Sequence, residues 1–374
     1  MIKKVCIVTA ARSEYGLLRW TIDGVSKNPN LELQFVVTGA HLLEEQGNTY
    51  KNIESDGYPI SAKVDMCLDS SSQVEIVKSM GRCSIGVAEA FANLNPDIVV
   101  VLGDRYELLP ICNAALVMNI PIAHISGGDV TIGAIDNEVR NAVTMMSTLH
   151  FPGVQESADN IVRMRNSDKN VLTVGEPGLD NFRLSKLMSR REIAENIGIP
   201  AENRWVLVTL HPETNESLEY NIEMAKNIIR LTDSLPNVSV VISKANADFG
   251  GVQINNYWEK VSQSNSDKYH LFPSLGQTRY LSYMNECYAV IGNSSSGIVE
   301  APCLGTPVIN IGNRQTGRHI CKNVRHVNND ISEIRNAWKD IEASPEKVKD
   351  SFYGDGHAAE RIVKHIEEYL YAGK

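Results

Sequence analysis

The sequence predicts an α/β protein made of two domains, each built on a parallel β-sheet. The chain has 374 residues, which exceeds the roughly 150 residues of an average domain. Short apolar segments alternate with longer amphipathic segments along its length, as in strands joined by helices. Glycine and proline interrupt this alternation between residues 175 and 187 and divide it into two series. Strands separated by helices pair in parallel through right-handed crossovers.

The first series contains the clearest buried strand of the chain. Residues 97–102 read DIVVVL, and their apolar side chains fall on both faces, as a strand inside a parallel sheet requires. The predicted strands of this series are residues 5–9, 31–37, 60–64, 97–102, 120–125, 149–151 and 171–174. The predicted helices are residues 15–26, 71–94, 107–118, 137–146 and 157–165.

The second series repeats this alternation and ends in one amphipathic helix. The predicted strands are residues 205–210, 238–242, 269–272, 289–291 and 308–311. The predicted helices are residues 217–235, 252–263, 278–286, 296–304 and 358–371. We therefore expect a first Rossmann-like domain over residues 1–176 and a second over residues 177–356. Ligands of such sheets bind at the carboxyl ends of the strands, so the loops that follow the strands are where chemistry is expected.

Composition excludes several classes of function. Lysine and arginine number 36 against 45 aspartates and glutamates, for a net charge of -9, so binding to nucleic acid is not expected as the main role. An acidic protein that binds anions must do so locally, with individual arginines and helix N-termini. The apolar runs are too short for a membrane span. Seven cysteines without a CxxC motif predict reduced thiols and a cytoplasmic protein.

The loop after the first strand reads TAARSEYG at residues 9–16. It lacks GxGxxG and so carries no dinucleotide fingerprint. Arg12 precedes a predicted helix, where a guanidinium and the helix N-terminus together can hold a phosphate. The alternative is an ordinary surface arginine in a turn.

The loop after the buried strand reads GDRYE at residues 103–107. Three ionisable residues follow the carboxyl end of this apolar strand, namely Asp104, Arg105 and Glu107. Burying such groups costs free energy unless they are solvated, are paired or take part in function. The spacing also fits a capping box, with Asp104 as the helix N-cap and Glu107 three residues later. Both roles are compatible, because a capping aspartate can also face a ligand.

Two further acidic segments follow in the first series. The paired glycines of SGGD at residues 126–129 let the backbone approach a ligand closely, and Asp129 ends this motif. Asp136 and Arg140 then open a predicted helix four residues apart. That spacing leaves two alternatives open, a functional pair or a structural ion pair on one helix face.

The second series carries its polar residues at three strand ends. His211 ends a strand and is followed by Pro212, which stops the strand and exposes the imidazole at its rim. The next strand end, at residues 292–300, reads GNSSSGIVE and places Ser294, Ser295 and Ser296 at a helix N-terminus, where they could bind a phosphate. Glu300 lies one turn later and could accept hydrogen bonds from ribose hydroxyls. The alternative is a plain serine N-cap. INIGNRQTGR at residues 309–318 adds two arginines, Arg314 and Arg318.

These motifs together resemble the UDP-N-acetylglucosamine 2-epimerases, and most closely the hydrolysing branch of sialic and legionaminic acid synthesis. The resemblance spans nearly the whole chain in the family's order and also includes VTGAH at residues 37–41, HISGGD at 124–129, IDNEVR at 135–140 and LHPET at 210–214. It implies the GT-B fold, with two Rossmann-like domains facing a central cleft and the final helix, residues 357–374, packing back on the first domain.

The resemblance also implies a reaction. Loss of the C2 proton and elimination of UDP give a 2-acetamidoglucal, and water then adds with the opposite stereochemistry at C2, which requires acid and base groups beside C2 and stabilisation of the leaving diphosphate. The candidate catalytic residues are Asp104, Glu107, Asp129, Asp136 and His211. The candidate substrate-binding residues are Arg12, His41, Arg105, Arg140, Ser294, Ser295, Ser296, Glu300 and Arg314. His211 is also implied to hold UDP, no metal or cofactor is implied, and relatives form homodimers or homotetramers.

Two positions depart from the family pattern. Position 126 is Ser126, where well-known members of the sialic branch carry a glutamate that is treated as catalytic, and Leu17 stands where several relatives have lysine. Asp104, Asp129 or Asp136 would then carry the proton transfer as a coupled set, or the sugar differs. We expect the substrate to be UDP-N-acetylglucosamine, giving N-acetylmannosamine and UDP. The alternatives are UDP- or GDP-linked N,N′-diacetylbacillosamine, a GT-B glycosyltransferase and a catalytically silent nucleotide-sugar sensor.

Overall fold

The computed structural model describes residues 2–69, 71–130, 135–213, 216–245, 250–344 and 346–372. The chain forms two compact units. The first unit comprises Met1–Arg183 and Gly354–Lys374, and the second unit comprises Leu184–Tyr353.

The first unit is built on a parallel sheet that has six strands within the described residues, in the order β3-β2-β1-β4-β5-β6. The strands are β1 Lys3–Thr9, β2 Leu31–Thr38, β3 Ala62–Val64, β4 Ile98–Leu102, β5 Ile122–Ile125 and β6 Leu149–Phe151. All five side chains of β4 are buried, in agreement with the apolar pattern. The strand predicted at residues 171–174 is wrong, because Val171 forms one isolated bridge to His150 before the chain turns at Gly175, whose φ is +93°.

Helices cover both faces of this sheet. They are α1 Arg12–Lys27, α2 Tyr50–Ser55, α3 Gln73–Leu94, α4 Leu108–Val117, α5 Asp136–Met146, α6 Gln155–Arg165, α7 Asp180–Leu184 and the C-terminal α14 Ala358–Tyr371. One apolar core joins the sheet to α1 and α14, and another joins it to α3, α4 and α5. Among the described residues, no helix has both the length and the apolar character needed to cross a membrane.

The second unit repeats this plan, with the strand order β12-β11-β10-β7-β8-β9. Its strands are β7 Arg204–Thr209, β8 Val238–Ser243, β9 Tyr269–Phe272, β10 Ala289–Gly292, β11 Val308–Ile311 and β12 Val324–Val327. Its helices are α8 Arg190–Ile197, α9 Leu218–Asp233, α10 Gly251–Ser264, α11 Gly276–Glu286, α12 Ser295–Leu304 and α13 Ile331–Ala343. The sequence analysis did not predict α8, α13 or β12, whose VRHV sequence is typical of a half-exposed edge strand.

The strand order fixes where a ligand can approach each unit. The order reverses between β1 and β4 in the first sheet and between β7 and β10 in the second, and ligands of open parallel sheets bind at such switch points. These two parallel sheets with helices on both faces confirm the predicted fold class.

The boundaries between the units differ from those expected at residues 176/177 and 356/357. Residues 177–183 belong to the first unit because a buried carboxylate ties them to α14. Asp180 is fully buried and accepts hydrogen bonds from the N–H groups of Ala358 at 2.9 Å and Ala359 at 2.7 Å, which would otherwise be unpartnered at the helix start. Helix α14 then packs closely on α1, where a Cβ at Gly24 would lie 3.0 Å from Val363.

Candidate active site

The carboxyl ends of the first unit's strands enclose a cavity of about 360 Å³. Its lining brings together three residues singled out from the sequence, Asp104, Arg105 and Asp136. The rest of the lining is Ser13, Glu14, Leu17, Leu102, Gly103 and Tyr106. The β1–α1 loop, the β4–α4 loop and the start of α5 thus meet in one place. Arg12 is exposed at the start of α1, where a guanidinium and free helix N–H groups can meet an anion.

A buried arginine organises the acidic residues beside this cavity. Arg140 is only 5% exposed, and its guanidinium forms an ion pair with Asp104 and donates a hydrogen bond to the carbonyl of Asp129 at 2.9 Å. The alternative ion pair between Asp136 and Arg140 is therefore wrong. Asp136 instead begins α5 and faces the cavity. Because a buried guanidinium must be neutralised, Arg140 holds the loops of Asp104 and Asp129 together.

The capping box predicted for Asp104 and Glu107 is also wrong. Helix α4 begins at Leu108 with Glu107 as its N-cap, and the N–H groups of Leu108 and Leu109 donate to the carbonyls of Arg105 and Tyr106, so Asp104 lies in the turn before the helix and is not its N-cap. Glu107 is fully buried and accepts a hydrogen bond from Arg105 Nη2 at 2.7 Å. Among the described residues, the cavity lining does not include Glu107.

A second buried side chain, His124, supports the same loops and was not predicted as a site residue. Its Nε2 lies 2.8 Å from the carbonyl of Gly103 and its Nδ1 lies 3.2 Å from Thr144 Oγ1. A carbonyl only accepts, so Nε2 carries the proton and Nδ1 accepts from the hydroxyl. Burial lowers the pKa of His124 to about 4, which keeps the ring neutral at physiological pH. His124 thereby fixes the carbonyl of the residue that precedes Asp104.

The SGGD loop contacts α6 closely, and its backbone includes a left-handed residue. Ser126 adopts a φ of +57°, a left-handed conformation that is uncommon outside glycine. A Cβ at Gly128 would lie 2.1 Å from the carbonyl of Ser157, so only glycine fits there. Asp129 accepts a hydrogen bond from Ser157 Oγ at 2.5 Å. This bond commits one carboxylate oxygen of Asp129 to α6, and Asp129 lies outside the cavity lining of the described residues.

His41 is fully buried at the end of β2 and connects two strand-end loops. Its Nε2 lies 3.1 Å from Thr9 Oγ1 and its Nδ1 lies 2.8 Å from Thr49 Oγ1. Burial lowers the pKa of His41 to about 4. Both nitrogens are therefore occupied by neighbouring hydroxyls, an arrangement that suits support of the β1 loop.

In the second unit, the amide of Asn293 joins the loops after β7 and β10. Asn293 is fully buried, and its side chain accepts from the N–H of His211 and donates to the carbonyl of His211, both at 2.8 Å. The preceding Gly292 has a φ of +144°, and a Cβ there would lie 2.0 Å from the carbonyl of Thr209. These contacts place the half-buried His211 beside the N-terminus of α12. The sequence analysis quoted Asn293 within a motif and assigned it no role.

The three serines of this loop have different surroundings. Ser294 is the N-cap of α12 and accepts from the N–H of Ser296 at 3.4 Å, so the serine N-cap considered above is present. The hydroxyl of Ser296 lies 2.5 Å from the hydroxyl of Tyr280 and is used within the unit. Ser295 is exposed. A helix N-terminus with an exposed hydroxyl suits a phosphate oxygen.

A carboxylate that the sequence analysis missed, Glu213, shapes the last loop of this site. It is 7% exposed and accepts from the N–H groups of Asn313 at 2.7 Å and Arg314 at 3.2 Å. Burial raises the pKa of Glu213. The exposed side chain of Arg314 also donates to the carbonyl of Asn293 at 3.3 Å. Arg314 is thus held beside the start of α12.

Glu300 lies one turn into α12 and is half-buried. Desolvation raises its pKa, and the positive charge of Arg318 opposes that rise. Among the described residues, no group of three or more histidine, cysteine, aspartate or glutamate side chains is arranged to hold a metal ion.

Comparison with known proteins identifies the family. A family model described as UDP-N-acetylglucosamine 2-epimerase matches residues 23–367. The hydrolysing GDP/UDP-N,N′-diacetylbacillosamine 2-epimerase of Campylobacter jejuni is 36% identical over 341 residues, covering 91% of this chain and 88% of that protein. The hydrolysing UDP-N,N′-diacetylbacillosamine 2-epimerase of Legionella pneumophila is 30% identical, covering 98% of this chain and 96% of that protein. The chain belongs to the UDP-N-acetylglucosamine 2-epimerase family and is an enzyme of that family.

A solved structure shows the same fold. The UDP-GlcNAc 2-epimerase of Neisseria meningitidis, bound to UDP-GlcNAc, matches with a TM-score of 0.77 and 17% identity over 97% of this chain and 99% of that chain. This likeness supports the GT-B fold expected from the sequence.

Replacing Gly127 with alanine tests the support that His124 provides. A Cβ at this position would lie 2.8 Å from His124 Nδ1 and 3.0 Å from Thr144 Oγ1, so we expect Gly127→Ala to lower the free energy of unfolding by about 1–3 kcal/mol. The matched control is Gly81→Ala in α3, where nothing lies within 4 Å and alanine should stabilise by about 0.5–1 kcal/mol. Urea denaturation measures both. Equal stability of the Gly127 variant and the parent would contradict the tight packing around His124.

Proposed function

We propose that this protein is a hydrolysing 2-epimerase whose substrate is UDP- or GDP-linked N,N′-diacetylbacillosamine, on a route to sialic-type sugars. The observation that carries this proposal is the similarity of nearly the whole chain to two enzymes named for that substrate, at 36% and 30% identity. The sequence predicted UDP-N-acetylglucosamine as the substrate and this sugar as the alternative, and the names of these two relatives favour the alternative. UDP-N-acetylglucosamine stays the second candidate, because it is the sugar in the description of the family model.

The second unit offers the chemistry that a nucleoside diphosphate requires. The N-terminus of α12 presents backbone N–H groups and the exposed Ser295, and the cation of Arg314 is held beside it. Negative charge that develops on a leaving diphosphate is stabilised by such fixed donors and cations. His211 is positioned at the same place by Asn293. We therefore assign Ser294, Ser295, His211, Arg314 and Glu300 to the nucleotide.

The first unit offers the acid and base groups. A base removes the proton from C2, the C1–C2 double bond forms, and the C1–O bond breaks with its electron pair leaving on the diphosphate. Water then adds its oxygen to C1. C2 receives a proton on the face opposite to the one from which its proton was removed. Asp104 and Asp136 line one cavity and are the carboxylates best placed for these transfers. Because both carboxylates line the same cavity, the acid and base roles are assigned to the pair.

We also propose that the enzyme is a homodimer or homotetramer. Helices α3 and α4 of the first unit expose large apolar side chains, with Val77 and Ile85 each 65% exposed and Val117 72% exposed. Exposed apolar residues grouped on one face are typical of subunit contacts. Sedimentation equilibrium of the purified chain measures the mass directly, and a monomer at micromolar concentration would contradict this assignment.

The substrate is tested by product analysis. We expect incubation with UDP- or GDP-linked N,N′-diacetylbacillosamine to release the free 2-epimerised diacetamido sugar and the nucleoside diphosphate, with higher kcat/KM than for UDP-N-acetylglucosamine. Chromatography and NMR of the released sugar identify it. Higher kcat/KM for UDP-N-acetylglucosamine would establish the second candidate instead. Transfer of an intact sugar to an acceptor, without epimerisation, would contradict both candidates.

The role of Asp104 is tested by an isosteric change. Asp104→Asn removes the titratable oxygen, so we expect kcat to fall by about 10²–10⁴-fold, while the affinity for UDP, measured by calorimetry, stays unchanged because the second unit supplies its contacts. The matched control is Asp97→Asn at the opposite end of β4, where Asp97 pairs with Lys3 at 3.1 Å and full turnover should remain. Normal turnover of the Asp104 variant would remove Asp104 from the mechanism.

A further inference from the structure

Glu14 is a buried carboxylate at the cavity to which neither the sequence nor the proposed mechanism assigns a role. It is 4% exposed and lies three residues after Ala11, the N-cap of α1, which has no polar side chain. Glu14 Oε2 accepts hydrogen bonds from the N–H groups of Ala10 at 2.6 Å and Ala11 at 3.2 Å, and lies 3.3 Å from Thr9 Oγ1. One oxygen of Glu14 thus closes the β1–α1 loop.

The other oxygen of Glu14, Oε1, faces the guanidinium of Arg105. Among the described residues, Oε1 is buried without a hydrogen-bond partner, and so is Nε of Arg105, which lies 3.8 Å away. Arg105 is 36% exposed, and its Nη2 is held by the fully buried Glu107 at 2.7 Å. The guanidinium therefore stands between two carboxylates and lines the cavity that also contains Asp104 and Asp136.

A proton on Glu14 competes with Arg105 for this oxygen. Oε2 is committed to backbone donors, so a proton taken up by Glu14 resides on Oε1 and turns it from an acceptor into a donor. A donor facing Arg105 Nε–H no longer attracts the guanidinium. Arg105 is then held on one side only, by Glu107.

We propose that Glu14 is a positioning residue that, when ionised, orients Arg105 toward the reacting sugar. This assignment rests on the proposed 2-epimerase function. Because Arg105 lies next to Asp104 in the β4–α4 loop and lines the same cavity as Asp104 and Asp136, its orientation affects the charge around these two carboxylates. Protonation of Glu14 is therefore expected to lower turnover and to leave the nucleotide contacts of the second unit intact.

The surroundings of Glu14 place its ionisation near neutral pH. Burial raises the pKa of Glu14 to about 7, with Glu107 raising it further, while the backbone donors and Arg105 lower it. The other groups that face it are His41, reached through the hydroxyl of Thr9, and Asp104, Tyr106 and Asp136 in the shared cavity. His41 is neutral in this range, since burial lowers its pKa to about 4.

The first test compares pH profiles of kcat for the wild type and Glu14→Gln. One ionisation near pH 7 should raise the wild-type kcat about tenfold between pH 6 and pH 8. Glutamine can keep the backbone bonds and presents an amide donor to Arg105, so E14Q should stay near the low-pH value throughout, with unchanged UDP affinity. A second variant, Arg105→Gln, should flatten the profile in the same way. E14Q with the wild-type profile and kcat at pH 8 would overturn the proposal.

The second test needs no substrate, so it separates failure of this proposal from failure of the proposed function. A carboxylate whose folded pKa is raised stabilises fully below its unfolded value and loses that contribution as pH rises through the folded pKa. The urea midpoint of the wild type should therefore fall relative to E14Q between pH 5 and pH 8. The control is Glu192→Gln, because Glu192 occupies the same capping position in α8 but is exposed, and its difference from wild type should stay constant. A constant difference for E14Q would also overturn the proposal.

Discussion

The arrangement of the first unit's site depends on one buried cation, the guanidinium of Arg140. A charge taken out of water must find opposite charge and acceptors, and removing one partner of such a pair is strongly destabilising. Asp104 and the carbonyl of Asp129 meet this need, so the loops after β4 and β5 are drawn to the start of α5. His124 supports the same loops from inside the sheet through the carbonyl of Gly103. Asp104 is therefore held beside the cavity by its ion pair with Arg140, which suits the proton-transfer role proposed for it.

In the second unit, an amide and a carboxylate hold the strand-end loops through backbone hydrogen bonds. The amide of Asn293 closes the loop of His211 with two hydrogen bonds, and Glu213 closes the loop of Arg314 through two backbone N–H groups. These contacts leave the start of α12 and a cationic side chain available to an anion. The net charge of the whole chain, -9, is therefore compatible with the nucleotide site proposed here, because a diphosphate interacts mainly with the few groups that it contacts.

Sequence reasoning succeeded where local patterns decide structure and failed where distant contacts do. The apolar pattern predicted β6, β9, β11 and α14 with the bounds that the structure has, and the loops expected after the strands bring Asp104 and Asp136 into the lining of one cavity. The catalytic roles of these two residues stay predictions. Asn293 and His211 lie 82 positions apart, and Glu213 and Asn313 lie 100 apart, so no local signal marked these partnerships. The capping box at residues 104–107 failed because the helix begins only at Leu108, after a turn, and the carboxylates of Asp104 and Glu107 pair with Arg140 and Arg105 instead.

In the proposed reaction, the enzyme removes and replaces the hydrogen at C2 of a nucleotide-linked sugar. The measurement that tests it most directly is the reaction of a nucleotide-linked 2-acetamido sugar in deuterated water, with the released sugar analysed by NMR and mass spectrometry. We expect free sugar of inverted configuration at C2 with one solvent deuterium at that carbon. Free sugar that keeps its original C2 hydrogen would contradict the elimination and hydration sequence and the roles given to Asp104 and Asp136.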